Sequence, residues 1–185
     1  MSSGGSVPAD ERKRIFCALR LPDRVLDELV RWQRRHLSGG RIVPREHLHV
    51  TLAFLGSTPA GRISEIAGAL REAAAATGPI ELAGTGGAVR ETRSVGMVVL
   101  RDVRGTAGVL AENLFGRLEA LGVYEHERRP WLAHVTVLRF RERPRLDPPP
   151  PGLGRFSPSE AAVYHSELRS GGAQYEIIES VALGG

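Results

Sequence analysis

Three observations predict an α+β fold with largely antiparallel sheets. Strands and helices come in mixed order and not as strict β-α repeats, the chain closes on a strand-turn-strand pattern, and a four-residue strand motif recurs in each half. With 185 residues and an apolar fraction of 42%, the chain is long and apolar enough to bury one substantial core without disulfides or metals.

Residues 1 to 12 read as a flexible tail. Arg14 to Leu21 reads as a first strand closed by Pro22, and Pro22-Asp23 opens a helix running to about Leu37. That helix carries Val25, Leu26, Leu29 and Trp32 on one face and ends at Gly39-Gly40. Leu48 to Leu55 follows as a strand, broken by Gly56-Ser57-Thr58-Pro59. The next helix bears Ile63, Ile66, Ala67, Leu70 and Ala74 on one side. Short strands are expected at Ile80 to Leu82 and Gly96 to Leu100, and a third helix from Thr106 to Leu121. Leu132 to Phe140 reads as a strand, and Pro144 to Pro151 as a rigid, extended connector. Strands Ala161 to Leu168 and Tyr175 to Leu183 flank Ser170-Gly171-Gly172, residue types suited to a hairpin turn.

Composition narrows the function classes. The lone cysteine, Cys17, lies in the apolar run Ile15 to Leu19, so no disulfide can form within the chain and a reducing compartment, the cytoplasm, is expected. No stretch of 18 apolar residues and no signal-peptide pattern occurs, so no membrane partner is expected. The pI is near 10.0, and Lys13 is the sole lysine, so almost every positive charge is an arginine. The planar guanidinium fork suits phosphate, although heavy arginine use also tracks genome composition.

The motif His49-Val50-Thr51-Leu52 returns 85 positions later as His134-Val135-Thr136-Val137. On a strand, His49 and Thr51 share one face while Val50 and Leu52 anchor the other, and the second copy repeats this arrangement. Strands from two halves of a duplicated fold, facing one another across a cleft, would bring together two imidazoles and two hydroxyls. One histidine can take a proton from an attacking nucleophile while the other protonates a leaving oxygen. The threonine hydroxyls can donate to phosphate oxygens as charge builds. His47-Leu48-His49 is also a His-x-His pair that could hold a metal from one strand face. With no cysteine pair and no His-Glu-x-x-His, neither a metal site nor a cofactor is expected. His36, His126 and His165 lack comparable context.

The run from Arg41 to Gly56, containing His47-Leu48-His49-Val50-Thr51-Leu52-Ala53-Phe54-Leu55-Gly56, resembles the first signature of the RNA 2',3'-cyclic phosphodiesterases, also called 2'-5' RNA ligases. These belong to the two-histidine phosphoesterase superfamily. His134 to Arg139 resembles the second signature, Arg14 to Pro22 the opening strand, and His165 to Leu183 the closing hairpin. The resemblance implies a bilobal α+β domain over 13–185: two antiparallel sheets with flanking helices, related by a pseudo-twofold duplication, around a central cleft. It also implies metal-independent opening of a terminal 2',3'-cyclic phosphate of RNA to a 2'-phosphate, with 2'-5' joining in some members. Carried over by motif position, His49 is the proton donor to the departing O3' and His134 the proton acceptor that activates water. Thr51, Thr136 and Arg139 would hold the phosphate. Strand parity objects to Arg139, which counts to the wrong face unless a bulge redirects it. Ala133 stands where the family usually has proline. The expected partner is an RNA with a 2',3'-cyclic phosphate end, or a related nucleotide, bound by a monomer. Alternatives are a phosphodiesterase for a small cyclic nucleotide or 2'-5' oligonucleotide, and a non-catalytic module that binds RNA ends.

Overall fold

Side-chain alternation along the first strand separates a core face from a cleft face. In the computed structural model, which describes residues 11–87 and 89–184, β1 spans Arg12–Arg20. Ile15, Cys17 and Leu19 point into the main core with the helices, while Phe16 and Ala18 pack on the opposite face with Ala162 and Tyr164. Both faces of this strand are therefore covered, which accounts for its unbroken apolar run. It begins at Arg12, inside the expected tail; the rest of that tail, residues 1–10, lies outside the described residues.

The further strands are β2 (Arg41–Ile42), β3 (His49–Pro59), β4 (Leu82–Gly84), β5 (Arg90–Glu91), β6 (Val95–Asp102), β7 (His134–Arg139), β8 (Arg155–Phe156), β9 (Glu160–Arg169) and β10 (Gly172–Ala182). The helices are α1 (Asp23–His36), α2 (Ile63–Ala75) and α3 (Thr106–Ala120). All described strand pairs are antiparallel. They run in the order β10-β9-β1-β3-β7-β6-β4-β8, with β2 added on β7 and β5 on β6. The α+β architecture expected from the sequence is thus present.

The two motif strands meet in the middle of this order through a single bridging pair, Val50 opposite Val135. Both valines are fully buried and tie the strands to the core beneath. On one side lies the ladder β10-β9-β1-β3, on the other β7-β6-β4-β8. All three helices contribute buried residues to the same core, among them Val25 and Leu29, Ile66 and Leu70, Leu110 and Leu114.

Several boundaries differ from those read in the sequence. The strand expected to break at Gly56 continues to Pro59, because β1 goes on pairing with it from Ile15 opposite Gly56 to Arg12 opposite Pro59. Gly56 adopts a φ of 68° beside a register shift that leaves Leu55 without a partner, so this glycine bends the strand and does not end it. The strand expected at Ile80 is displaced to Leu82–Gly84, where β6 and β8 pair with it. Three two-residue strands, β2, β5 and β8, were not expected. The proline-rich connector has no regular element but is pinned to the core: Trp32 Nε1 donates to the Pro149 carbonyl at 2.7 Å, and Pro148 and Pro151 are buried.

Candidate active site

The Val50–Val135 pair places both motif pairs on the side of the sheet away from the helices. Among the described residues this is the one paired position of β3 and β7, and His49 and His134 each stand next to it, one on either strand. In a regular antiparallel pair, residues so placed are diagonal neighbours about 7–8 Å apart, their Cβ atoms somewhat closer, and the charge of His134 is felt at His49. At this spacing two imidazoles can reach opposite sides of one phosphate.

Each imidazole is fixed by the same local device. His49 Nδ1 lies 2.7 Å from the His47 carbonyl, and His134 Nδ1 lies 2.8 Å from the Leu132 carbonyl. A carbonyl only accepts, so each Nδ1 carries a hydrogen and donates it, leaving Nε2 to do proton chemistry. His49 Nε2 is 3.1 Å from Thr51 Oγ1, which donates to it when the ring is neutral. The floor beneath is aromatic: Phe16 lies 5.0 Å from the His49 ring, centroid to centroid, and Tyr164 stacks on Phe16 at 4.8 Å. The His49 pKa is pushed down to about 4, chiefly by burial there; the bond to the His47 carbonyl opposes this, and the charges of Arg139, His134 and His47 act with it.

A cleft of about 720 Å³ opens over this floor. Its lining includes His49, Thr51, Thr136 and Arg139, together with Arg14, Arg41 and His47, and contains no carboxylate. His134, next to the Val50–Val135 bridge, is not among the lining residues.

Arg139 reaches the cleft despite its parity. In β7, Gly96 pairs with Leu138 and Met97 with Thr136, so Val137 is an extra residue that turns the following side chains over. The bulge is held from outside the sheet. The Val137 carbonyl accepts from Val43 N at 3.1 Å and from Nε2 of buried Gln33 on α1 at 2.9 Å. The first motif strand has a matching irregularity: Ala53 pairs with Cys17 and Thr51 with Ala18, leaving Leu52 as the extra residue. As a result Phe54, five residues after His49 as Arg139 is after His134, also faces the cleft, 53% exposed. Arg14 covers its ring at 5.5 Å.

His47 is not on the motif strand. It ends a 3-10 turn, Arg45–His47, its ring lies 4.2 Å from that of Tyr175, and burial lowers its pKa. A His-x-His pair on one strand face is therefore not formed; among the described residues no group of three or more His, Cys, Asp or Glu is disposed to hold a metal. Ala133, at the position where proline was expected, is buried, and its carbonyl accepts from Leu100 N at 2.9 Å, so β6 sets the backbone there. Trp131 was missed by sequence reasoning: its Nε1 donates to the Thr51 carbonyl at 3.0 Å, linking the approach to the second motif with the first. Gln33 and Phe54 were missed as well.

A carboxylate-free cleft lined by His49 and Thr51 from one motif strand and Thr136 from the other, with His134 close to the second, has the make-up of a phosphoesterase site. Residues 19–95 match the family model described as LigT like Phosphoesterase. The chain is 31% identical over 182 residues to the RNA 2',3'-cyclic phosphodiesterase of Thermus thermophilus, covering 93% of this chain and 91% of that protein. It is 29% identical over 178 residues to the enzyme of the same name from Escherichia coli, covering 94% and 98%. The crystal structure of E. coli LigT complexed with NADP+ superposes with a TM-score of 0.80 at 26% identity, over 95% of this chain and 100% of that one. The chain belongs to the LigT-like phosphoesterase family.

Proposed function

We propose that the protein hydrolyses the terminal 2',3'-cyclic phosphate of RNA to a 2'-phosphomonoester, using His49 and His134 as a metal-independent acid and base. The observation that carries this reading is the matched pair of histidines, each with Nδ1 spent on the carbonyl two residues upstream and both flanking the Val50–Val135 bridge. The names of the Thermus thermophilus and E. coli relatives support the substrate.

In this mechanism His134 Nε2 takes a proton from water as the water oxygen attacks phosphorus. The P–O3' bond breaks, and O3' receives the proton of His49 Nε2, leaving a 3'-hydroxyl and the 2'-phosphate. Thr51, Thr136 and Arg139 donate to the non-bridging oxygens, where charge grows. The direction of proton transfer rests on the family resemblance. In the free cleft, burial works against a standing charge on His49, so its proton must arrive with the phosphate anion, whose negative charge raises the histidine's pKa. The same pair run in the same direction, with the 5'-hydroxyl of a second strand in place of water as the attacking group and O3' again leaving, would form a 2'-5' linkage.

The test is turnover of an oligoribonucleotide ending in a 2',3'-cyclic phosphate, with EDTA present throughout. Release of the 2'-phosphate product is expected, and His49→Ala and His134→Ala should each lower kcat by about 10²–10⁴-fold, the usual contribution of a positioned acid or base. No turnover by the wild type, or full turnover by either variant, would overturn the mechanism.

A further inference from the structure

One terminal phosphate does not account for the charge in this cleft. Arg41 on β2 is the direct ladder partner of Arg139 on β7, and both side chains line the cleft. Like charges placed opposite one another on a sheet repel, and no carboxylate among the described residues forms an ion pair with either of them. Two neighbouring unneutralised guanidiniums facing an acid-free cavity describe a site for more negative charge than a single diester carries.

Arg41 reaches the cleft from a different strand, on the edge of β7 opposite β6. Three residues of β7, among them the Val137 bulge, lie between the Val50–Val135 bridge, beside which the histidines stand, and the Arg41–Arg139 pair. At about 3.3 Å per residue the four steps make at most roughly 13 Å between backbones, for Arg41 and Arg139 alike. The guanidinium is also aimed from the far side: it lies against the β9–β10 turn, where a Cβ added at Gly172 would come within 2.9 Å of Arg41 Nη1. Gly172, at a φ of 116°, thus leaves the space in which the Arg41 fork rests.

We propose that Arg41 binds a second phosphate of the substrate, one nucleotide away from the cyclic end, and so makes the enzyme selective for a strand end over a cyclic mononucleotide. This rests on the function proposed above. Two sources share the chemistry, an internucleotide phosphodiester and a 5'-phosphate on a single cyclic nucleotide.

The experiment compares kcat/KM for three probes: a 2',3'-cyclic mononucleotide, the same compound with a 5'-phosphate, and a dinucleotide ending in a 2',3'-cyclic phosphate. The wild type should prefer the dinucleotide to the plain mononucleotide by about tenfold or more, the yield of one charge-assisted contact. In Arg41→Gln that ratio should collapse toward one, and in Arg41→Lys it should be partly kept. Because a ratio is read, loss of folded protein cancels. A preference shown equally by the 5'-phosphorylated mononucleotide identifies the contact as a terminal phosphate and overturns selectivity for a strand. A ratio unchanged in Arg41→Gln, with both rates reduced alike, places Arg41 on the reacting phosphate and overturns the proposal. If the wild type turns over none of the probes, the proposed function fails by itself. Binding of the 3'-phosphate-terminated mono- and dinucleotides to wild type and Arg41→Gln then still decides the second-phosphate site, which equal affinities would overturn.

Discussion

A backbone carbonyl two residues upstream decides which nitrogen each imidazole presents to the cleft, and burial decides how readily it is charged. For His49 these act in opposite senses: the His47 carbonyl steadies a protonated ring, while the Phe16 floor disfavours it and prevails, at a pKa of about 4. The sign of the pH dependence follows. The profile of kcat/KM reports the free enzyme. If His49 must enter the reaction protonated, kcat/KM carries a limb that descends as pH rises above about 4, and kcat does not show that limb at the same pH, because the bound phosphate holds the proton in place. If His49 were instead the base, kcat/KM would rise through pH 4. Initial rates between pH 3.5 and 8, at saturating and at low substrate, separate these cases, and a rising limb that disappears in His49→Gln would reverse the assigned roles.

At the scale of the strand, the bulges matter more than the motifs. The motif histidines and threonines were legible because each copy alternates simply with two buried anchors, Val50 and Val135. Arg139 was named through the family resemblance against its strand parity, and Phe54 was missed, since their faces depend on extra residues at Val137 and Leu52. The Val137 bulge is stabilised by contacts remote in sequence, from Val43 and from Gln33, which no local pattern announces. Gln33 looks like one polar interruption on the buried face of α1, yet it is 1% exposed and its Nε2 donates to both Val43 O at 3.0 Å and Val137 O at 2.9 Å. Gln33→Leu should cost about 1–3 kcal/mol of stability, the penalty for leaving buried carbonyls short of donors. It should also release the turn that aims Arg139. A double-mutant cycle checks this: Arg139→Gln should reduce kcat/KM several-fold in the wild type and much less in the Gln33→Leu background. Equal effects in both backgrounds would make Gln33 a structural residue only. The remaining misreadings, the continuation of β3 past Gly56 and the two-residue strands β2, β5 and β8, share a cause. They are made by partners elsewhere in the chain and are too short or too bent to announce themselves through periodicity.

Across the whole molecule, two ladders meet at one backbone pair while a common helical core lies beneath both, so the cleft's width depends on the core staying intact. β1 is central to one ladder, paired with β3 along one edge and β9 along the other. At its middle Cys17 is fully buried, and desolvation pushes its thiol up to about 12. The thiolate is the reactive form, so in the native state this cysteine is shielded twice, by lack of access and by lack of charge. Opening β1 means separating it from both neighbours and from the core, which amounts to global unfolding. Labelling of Cys17 by an aromatic disulfide at pH 8 should therefore be slow without denaturant. Its rate should rise with urea along the same slope as the loss of secondary structure followed by circular dichroism. Rapid labelling in the absence of urea, with the circular dichroism spectrum unchanged, would show that β1 opens locally, and the histidine spacing set by β3 against β7 would then rest on a weaker frame than the pairing describes.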